Sequence, residues 1–179
     1  MMRYAAFLRA LNVGGHIVKM DALRKRFVKL GFTNVETFIA SGNVVFETPS
    51  RAAAALEKRI ASALEKELGY EVATFLRTSV ELSEIAAYVP FEGLDDAPTF
   101  VVGFLGAPLA SAATKKLMAM QSKADRFHVR GREMWWHSTS SQGESTFSNA
   151  VLERTLGVRT TFRNMRTVRK MAVRWGAVT

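Results

Sequence analysis

Residues suited to binding an anion occur together in the stretch FLRALNVGG, at residues 7–15. Arg9 carries a guanidinium, and Asn12 carries an amide that can donate hydrogen bonds. Gly14 and Gly15 have no Cβ, so their backbone N–H groups can approach a ligand closely. This combination indicates a loop able to hold a phosphate or a carboxylate.

A second polar group interrupts two apolar segments further along the chain. The segments NVETFIA (34–40) and NVVFET (43–48) are typical of strands, and Ser41, Gly42 and Asn43 lie at their junction. A short sequence with glycine between two strands predicts a tight hairpin turn.

The order of elements predicts where these two groups lie. The first part of the chain contains four predicted strands and two predicted helices. The strands lie at 3–11, 34–40, 43–48 and 71–78, and the helices at 19–31 and 49–69. Their order along the chain is β-α-β-β-α-β, that of a ferredoxin-like unit. In that unit the hairpin turn between the second and third strands lies where the first strand ends, and the first helix begins there with unpaired N–H groups. We therefore expect the two polar groups to form one corner, with the helix N-terminus beside them.

Ordinary turn chemistry explains the same residues one at a time. Gly14 and Gly15 serve equally as a flexible turn, and Gly42 as the positive φ that a hairpin needs. Asn43 can cap its own turn, and Arg9 can pair with Glu36 or Glu47. Both interpretations of the corner stay open at this point.

The pattern resumes after an acidic, proline-bearing connection. We divide the chain into a first half at 1–78, a connecting helix and linker at 79–98, and a second half at 99–179. The predicted elements of the second half are a strand at 99–107, a helix at 110–121, hairpin strands at 126–131 and 132–138, a helix at 145–157, a weak strand at 159–162 and a helix at 164–176. The fold class is α+β, with two ferredoxin-like subdomains packed together and a C-terminal helix.

Composition limits the class of protein. The 179 residues are 48% hydrophobic, as expected of a folded protein, and carry a formal charge of +9. This charge either favours anionic partners or belongs to a basic protein that binds nothing specific. The chain has no cysteine, which excludes disulfides and thiolate sites and predicts a cytoplasmic protein. No apolar run is long enough to span a membrane, and the start MMRYAAFLRALNVGG does not resemble a signal peptide.

The end of the chain is strongly basic. After Glu153 there is no acidic residue, but there are seven cations: Arg154, Arg159, Arg163, Arg166, Arg169, Lys170 and Arg174. Asn164 is a plausible N-cap for the final helix, on which Arg166, Arg169, Lys170 and Arg174 form a basic face opposite an apolar stripe. This face is either solvated or tracks phosphates of a nucleic acid.

Catalytic motifs are absent from the sequence. His16, His128 and His137 are the three histidines, and none belongs to a metal-binding or nucleophile-activating pattern. No P-loop or dinucleotide-binding glycine motif occurs, so we predict no metal, no cofactor and no identifiable catalytic residue. Exposed stacking aromatics of an RNA-recognition sheet are also missing from the strand NVVFET.

The segments RYAAFLRALNVGG, VETFIASGNVVF and TTFRNMRTVRKM resemble the signatures of the domain-of-unknown-function family 1697. The resemblance implies a bacterial protein of two ferredoxin-like subdomains without an established activity. It emphasises positions matching Arg9, Asn12, Gly14, Gly15, Ser41, Gly42, Asn43, Arg163, Asn164 and Thr167. The sequence departs from the family at Thr146, where lysine is usual, and at Met165, where tryptophan is common, although Gly143 and Ser145 fit.

The sequence favours a module that binds an anionic ligand, either a phosphate-bearing small molecule or nucleic acid. The corner residues, with Arg163, Asn164 and Thr167, are the expected ligand contacts. The alternative is an enzyme for a small anionic substrate, with Arg9 and backbone amides stabilising charge. Neither the ligand nor the oligomeric state follows from the sequence.

Overall fold

A computed structural model describes residues 1–12, 14–93, 97–141 and 147–177. The chain divides into two units, the first formed by Met1–Ile85 with Lys170–Thr179 and the second by Ala86–Arg169. The division predicted from the sequence kept all of 99–179 together, whereas the final residues belong with the first unit.

The first unit is built around a four-stranded antiparallel sheet. Its elements, in chain order, are β1 (Met2–Leu8), α1 (Met20–Lys29), β2 (Thr33–Phe38), β3 (Asn43–Thr48), α2 (Ala53–Leu68), β4 (Thr74–Thr78) and the start of α3 (Ser79–Ala87). The strands lie in the order β2-β3-β1-β4. This is the strand order of a ferredoxin-like unit.

The core of the first unit lies between one face of the sheet and two helices. Leu56, Ile60 and Leu64 recur every four residues along α2 and are buried, as the sequence predicts. They pack in one cluster with Phe27 of α1 and Phe46 of β3. Helix α2 ends at Leu68, and the C-cap Gly69 adopts the left-handed conformation that favours glycine at a helix C-terminus.

The second unit repeats the arrangement. Its elements are β5 (Thr99–Leu105), α4 (Ser111–Ala119), β6 (Asp125–Arg130), β7 (Glu133–Ser138), α5 (Asn149–Leu156), β8 (Thr160–Asn164) and the start of α6 (Met165–Trp175). The strands lie in the order β6-β7-β5-β8, all antiparallel. The two sheets with their helices confirm the predicted pair of ferredoxin-like subdomains and the C-terminal helix.

The core of the second unit forms around Trp136 of β7. Its indole N–H donates to Asp125 Oδ1 at 2.9 Å, which satisfies the polar atom of an otherwise apolar side chain. Trp136 packs with Leu117 of α4 and Leu152 of α5. No helix in the described part of the chain combines the length and the hydrophobicity required to cross a bilayer.

Two histidines of the second sheet are surrounded by aromatic rings. His128 Nε2 lies 2.7 Å from Tyr88 Oη, and burial, with a smaller contribution from Arg130, lowers the pKa of this histidine. His137 is 3% exposed, and neither of its ring nitrogens has a hydrogen-bond partner among the described residues. Burial and, secondarily, the nearby charge of Arg126 lower the pKa of His137. Both rings therefore belong to the packing of the second unit.

Gly103 makes close packing possible in the second sheet. A Cβ at this position of β5 would lie 2.7 Å from the Phe162 ring and 3.0 Å from Thr160 Oγ1. We expect Gly103→Ala to lower the free energy of unfolding by about 1–3 kcal/mol, because the Phe162 ring and Thr160 Oγ1 must move away from the added Cβ. Urea denaturation followed by circular dichroism measures the change. Gly106→Ala is the matched control, since a Cβ there meets nothing within 4 Å, and equal losses in the two variants would contradict the packing argument.

The lowered pKa values of His128 and His137 predict that stability depends on pH. A histidine in the unfolded chain titrates near about 6.5, so below that pH the unfolded state binds more protons than the folded state. The free energy of unfolding should therefore be greatest above about pH 7 and fall as the pH drops through about 6.5 towards the folded-state pKa values. Urea denaturation across this range should show a shallower fall in His137→Phe than in the exposed control His16→Gln. Identical pH profiles for the two variants would refute the assignment.

Candidate functional site

The hydrogen bonds of the first sheet bring together the two polar groups predicted to form a corner. Leu8 N–H, at the end of β1, donates to the carbonyl oxygen of Gly42 at 2.9 Å. A Cβ on Gly42 would lie 3.2 Å from Leu8 Cβ, so the two chain segments are in close contact. We call the described residues 9–12, 14–19 and 39–43 the N-terminal corner.

The backbone of the N-terminal corner adopts the left-handed conformation at five positions. Gly14, Gly15 and Gly42 have φ values of 62°, 84° and 73°, and glycine accepts them readily. Ala10 at 59° and Ile39 at 51° are not glycines. A β-branched residue at positive φ is a conformational outlier of the kind that clusters at ligand-binding loops.

Asn12 connects the two loops of the corner. Its Oδ1 accepts a hydrogen bond from Val18 N–H at 2.8 Å, and its Nδ2 lies 3.5 Å from the carbonyl oxygen of Ala40. Through these two contacts the Asn12 side chain bridges the segment before α1 and the turn between β2 and β3. Its structural contribution is to shape the loop.

Asn43 has a similar structural role inside the hairpin. The side chain is fully buried, and its Nδ2 donates to Phe38 O at 3.1 Å and to Ser41 Oγ at 2.8 Å. These bonds cap the turn, which is the turn-chemistry interpretation considered for this residue. Ser41 remains exposed beside it.

Tyr70, which belongs to no motif in the sequence, anchors the N-terminal corner. Its hydroxyl donates to Leu11 O at 2.7 Å, and its ring stacks on exposed His16 with centroids 4.2 Å apart. Tyr70 follows Gly69, the C-cap of α2. An aromatic residue after the end of a helix was the only local sequence feature that could have indicated its role. Its partner lies 59 positions away in the chain.

The remaining predicted features of the corner are a cation and a helix start. Arg9 follows β1, with its backbone N–H bonded to Ala73 O at 2.8 Å and its side chain partly exposed. Helix α1 begins two residues after Val18, without a side-chain cap. Its first turn carries Asp21, whose carboxylate lies 3.6 Å from Arg24, so negative charge is already present at that helix start.

The predicted residues near the C-terminus lie at the junction of β8 and α6 in the second unit. Asn164 Oδ1 accepts from Arg166 N–H at 2.8 Å, which confirms the predicted N-cap. Arg163 is buried instead of exposed, and it donates to Thr161 Oγ1 and Phe162 O, both at 2.8 Å. Burial lowers the pKa of Arg163 to about 10, so it stays charged at neutral pH as an interior cation.

A cationic pocket of about 220 Å³ opens at this junction. The described residues that line it are Ala97, Pro98, Phe100, Asn164, Met165, Arg166 and Arg169. The Arg169 guanidinium lies 5.7 Å from the centroid of the Phe100 ring, which helps to position it. Thr167 lies on the same helix turn, partly buried, and does not line the pocket.

The rest of the predicted basic face belongs to the first unit. Lys170 is exposed, whereas Arg174 forms an ion pair with Glu36 of β2. Trp175 Nε1–H donates to the other carboxylate oxygen of Glu36 at 3.0 Å. The acid that neutralises this end of the helix is distant in sequence, so a search for acids along the C-terminal segment cannot reveal it.

Metal-binding side chains are not grouped in the part of the chain that the structure describes. It contains no group of three or more histidine, aspartate or glutamate side chains placed to hold a metal ion. Gly143, Ser145 and Thr146, where the resemblance to the family is mixed, lie outside the described residues.

Comparisons with known proteins agree with this fold. A solved structure of the conserved bacterial protein SP0830 from Streptococcus pneumoniae is similar, with a TM-score of 0.73 and 23% sequence identity over 96% of this chain and 97% of that chain. At this identity the similarity concerns the fold. A search of curated proteins found no match.

The family model described as "Protein of unknown function (DUF1697)" matches residues 1–135. The match includes both loops of the N-terminal corner and ends before Arg163, Asn164 and Thr167. Because it extends over most of the sequence, the chain belongs to the DUF1697 family.

Proposed function

We propose that this protein binds an anionic ligand at the N-terminal corner, and that the ligand is a phosphate-bearing small molecule. The observation that carries the proposal is the Leu8–Gly42 hydrogen bond, which holds the two glycine-containing loops together directly beside Arg9. Backbone N–H groups in left-handed loops, together with a guanidinium, provide the donors that phosphates require.

The charge of the corner favours an anion. The segment from residue 9 to residue 19 contains Arg9, His16 and Lys19 and no acidic residue, and residues 39–43 contain no acid either. The positive charge of these two loops therefore favours anionic ligands. Asp21, in the first turn of α1, is the next acid along the chain.

The strain in the corner supports the same proposal. Left-handed Ala10 and Ile39 flank the contact between the two loops, and such conformations persist where the surrounding structure maintains them. Asn12, Asn43 and Tyr70 supply that support through hydrogen bonds to backbone atoms or to Ser41. The residues that bind directly are then Arg9 and the loop amides, with the asparagines shaping the site.

A small molecule suits the fold better than a nucleic acid read on an open sheet. One central strand of each sheet is buried, β1 from Tyr4 to Leu8 and β5 along its whole length. RNA-recognition sheets need exposed aromatic residues on such strands. The enzyme alternative would use the same corner, and the cytoplasmic location stays a prediction from the sequence.

The binding proposal predicts that Arg9 contributes directly to affinity. A thermal-shift screen of nucleotides and phosphorylated metabolites should identify ligands that raise the melting temperature, because binding to the folded state stabilises it. For those ligands Arg9→Gln should weaken binding about tenfold or more in calorimetry, since a hydrogen bond from a charged group is lost. Arg3→Gln is the matched control, because Arg3 lies on β1, the strand that Arg9 follows, and pairs with Glu47. If every ligand binds Arg9→Gln as tightly as the unmodified protein, the corner is not the binding site.

The small-molecule proposal predicts that the protein binds nucleic acid weakly. Labelled single- and double-stranded oligonucleotides titrated at two salt concentrations should show little saturable binding at the higher salt. Tight binding with a steep salt dependence, lost in Arg166→Gln or Lys170→Gln, would instead assign the basic face to phosphates of a polymer. That result would replace the small-molecule proposal.

A further inference from the structure

We infer that the second unit binds a small uncharged heterocyclic amide, of the kind that nucleobases and nicotinamide represent, in a pocket beside the start of α5. This larger pocket has a volume of about 370 Å³, which is within the usual range for small-molecule sites. Val101 lines it, whereas Phe100 lines the cationic pocket, and consecutive residues of a strand point to opposite faces of the sheet. The larger pocket is therefore a site of its own, separate from the cationic pocket and from the N-terminal corner of the first unit.

The second sheet supplies the floor of the larger pocket. Val101 of β5 pairs with Trp136 of β7 on one side and with Asn164 of β8 on the other. Residues paired across antiparallel strands share a face, so these three side chains form a row. Phe162, two residues before Asn164, lies on the same face. Because the strand register fixes these positions, the floor is formed before any ligand binds.

Two phenylalanine rings offer flat apolar surface to a ligand. Phe147, which precedes the N-cap of α5, and Phe162 both line the pocket and are partly exposed. Their rings stand steeply to the indole of Trp136, at 83° and 70°, with centroids 6.3 and 6.1 Å away. Trp136 itself is 1% exposed, so it supports these rings, and the surface left for a ligand belongs mainly to the phenylalanines. Such surfaces pack well against a flat ring.

The lining of the larger pocket favours a ligand without charge. The polar side chains among the described lining residues are all uncharged: Ser148, Asn149, Thr161 and Asn164. An ionised ligand would lose hydration on entering the pocket without meeting an opposite charge there, and this cost disfavours its binding. The cationic pocket, which two arginines line, has the opposite preference.

Two asparagine amides give the larger pocket a donor and an acceptor. Asn164 Oδ1 accepts from Arg166 N–H at 2.8 Å, which leaves Nδ2 of the same amide to donate to a ligand. Asn149 Nδ2 donates to Thr160 O at 3.0 Å, which makes Oδ1 the acceptor. This Oδ1 is buried and has no hydrogen-bond partner among the described residues, although buried acceptors are normally satisfied. A ligand that carries both a carbonyl and an N–H group complements the two amides.

These properties together define the class of ligand. A flat ring suits the phenylalanine surfaces, a neutral molecule suits the uncharged lining, and an amide supplies the carbonyl and the N–H group. Uracil, whose ring contains the amide, and nicotinamide, whose ring carries it as a substituent, combine all three features.

Calorimetry with the full chain tests this class. The neutral probes are uracil and nicotinamide. Orotate and nicotinate are their charged counterparts, and 1,3-dimethyluracil lacks the N–H groups of uracil. At least one neutral probe should bind, and its counterparts should bind about tenfold more weakly or worse, because a carboxylate finds no opposite charge and a methylated ring cannot donate. If neither neutral probe binds, or if a counterpart binds as tightly as its neutral probe, the inference is wrong.

Variants then locate the binding. Asn149→Leu removes the buried acceptor and should weaken the neutral probe about tenfold. Phe147→Leu leaves both amides in place and should weaken the probe about threefold or more, because flat ring surface is lost. This second variant decides the test if Asn149→Leu lowers the melting temperature. The matched control is Arg154→Leu, which places the same side chain at an exposed position of α5 that does not line the pocket. Unchanged affinity in Phe147→Leu, or an equal loss in Arg154→Leu, would overturn the inference.

Discussion

The antiparallel pairing of β1 with β3 is the constraint on which the first unit depends. Its register places Phe7 opposite Asn43, and the next residue, Leu8, bonds to Gly42. A shift by one residue would exchange the two faces of the strand and expose side chains that are now buried. The same hydrogen bonds that form the sheet therefore hold the loop after β1 against the β2–β3 turn. The N-terminal corner is a consequence of this register and not of attraction between its polar side chains.

The second unit uses the same strand order to create a different environment. Its last strand passes directly into α6, so Asn164 both ends β8 and caps the helix. Gly103 opposite Phe162 lets that ring pack closely against β5, which leaves the ring at the edge of the larger pocket. Repetition of an architecture thus provides two similar frameworks, and the residues at the strand ends decide what each can bind.

Much of the fold could be predicted because its signals are local. The four-residue repeat of Leu56, Ile60 and Leu64 identifies α2 and its buried face, although the helix begins at Ala53, four residues later than expected. The weak strand predicted at 159–162 extends in the structure to Asn164, since pairing with β5 stabilises residues whose own sequence shows little preference. The grouping of the C-terminal residues with the first unit was harder to predict, because the hydrogen bond from Trp175 to Glu36 joins residues 139 positions apart.

Only part of the candidate site could be predicted from the sequence. The juxtaposition of the two loops followed from topology, and the turn roles of Gly42 and Asn43 followed from residue type. Tyr70 could not be found in this way, because its hydrogen bond to Leu11 depends on where α2 ends in space. The identity of the residues that contact a ligand depends on such long-range placement more than on composition.

By itself, the sequence determined the order of strands and helices, the positions of the turns and the excess of positive charge. These properties arise from the residues alone or from interactions within a few positions. Only the tertiary structure decided which cations face solvent: it buries Arg163 beside Thr161, pairs Arg174 with Glu36 and places Arg166 at a pocket. The physical reason is that burial and ion pairing depend on neighbours contributed by distant parts of the chain, and those neighbours exist only once the sheets have formed.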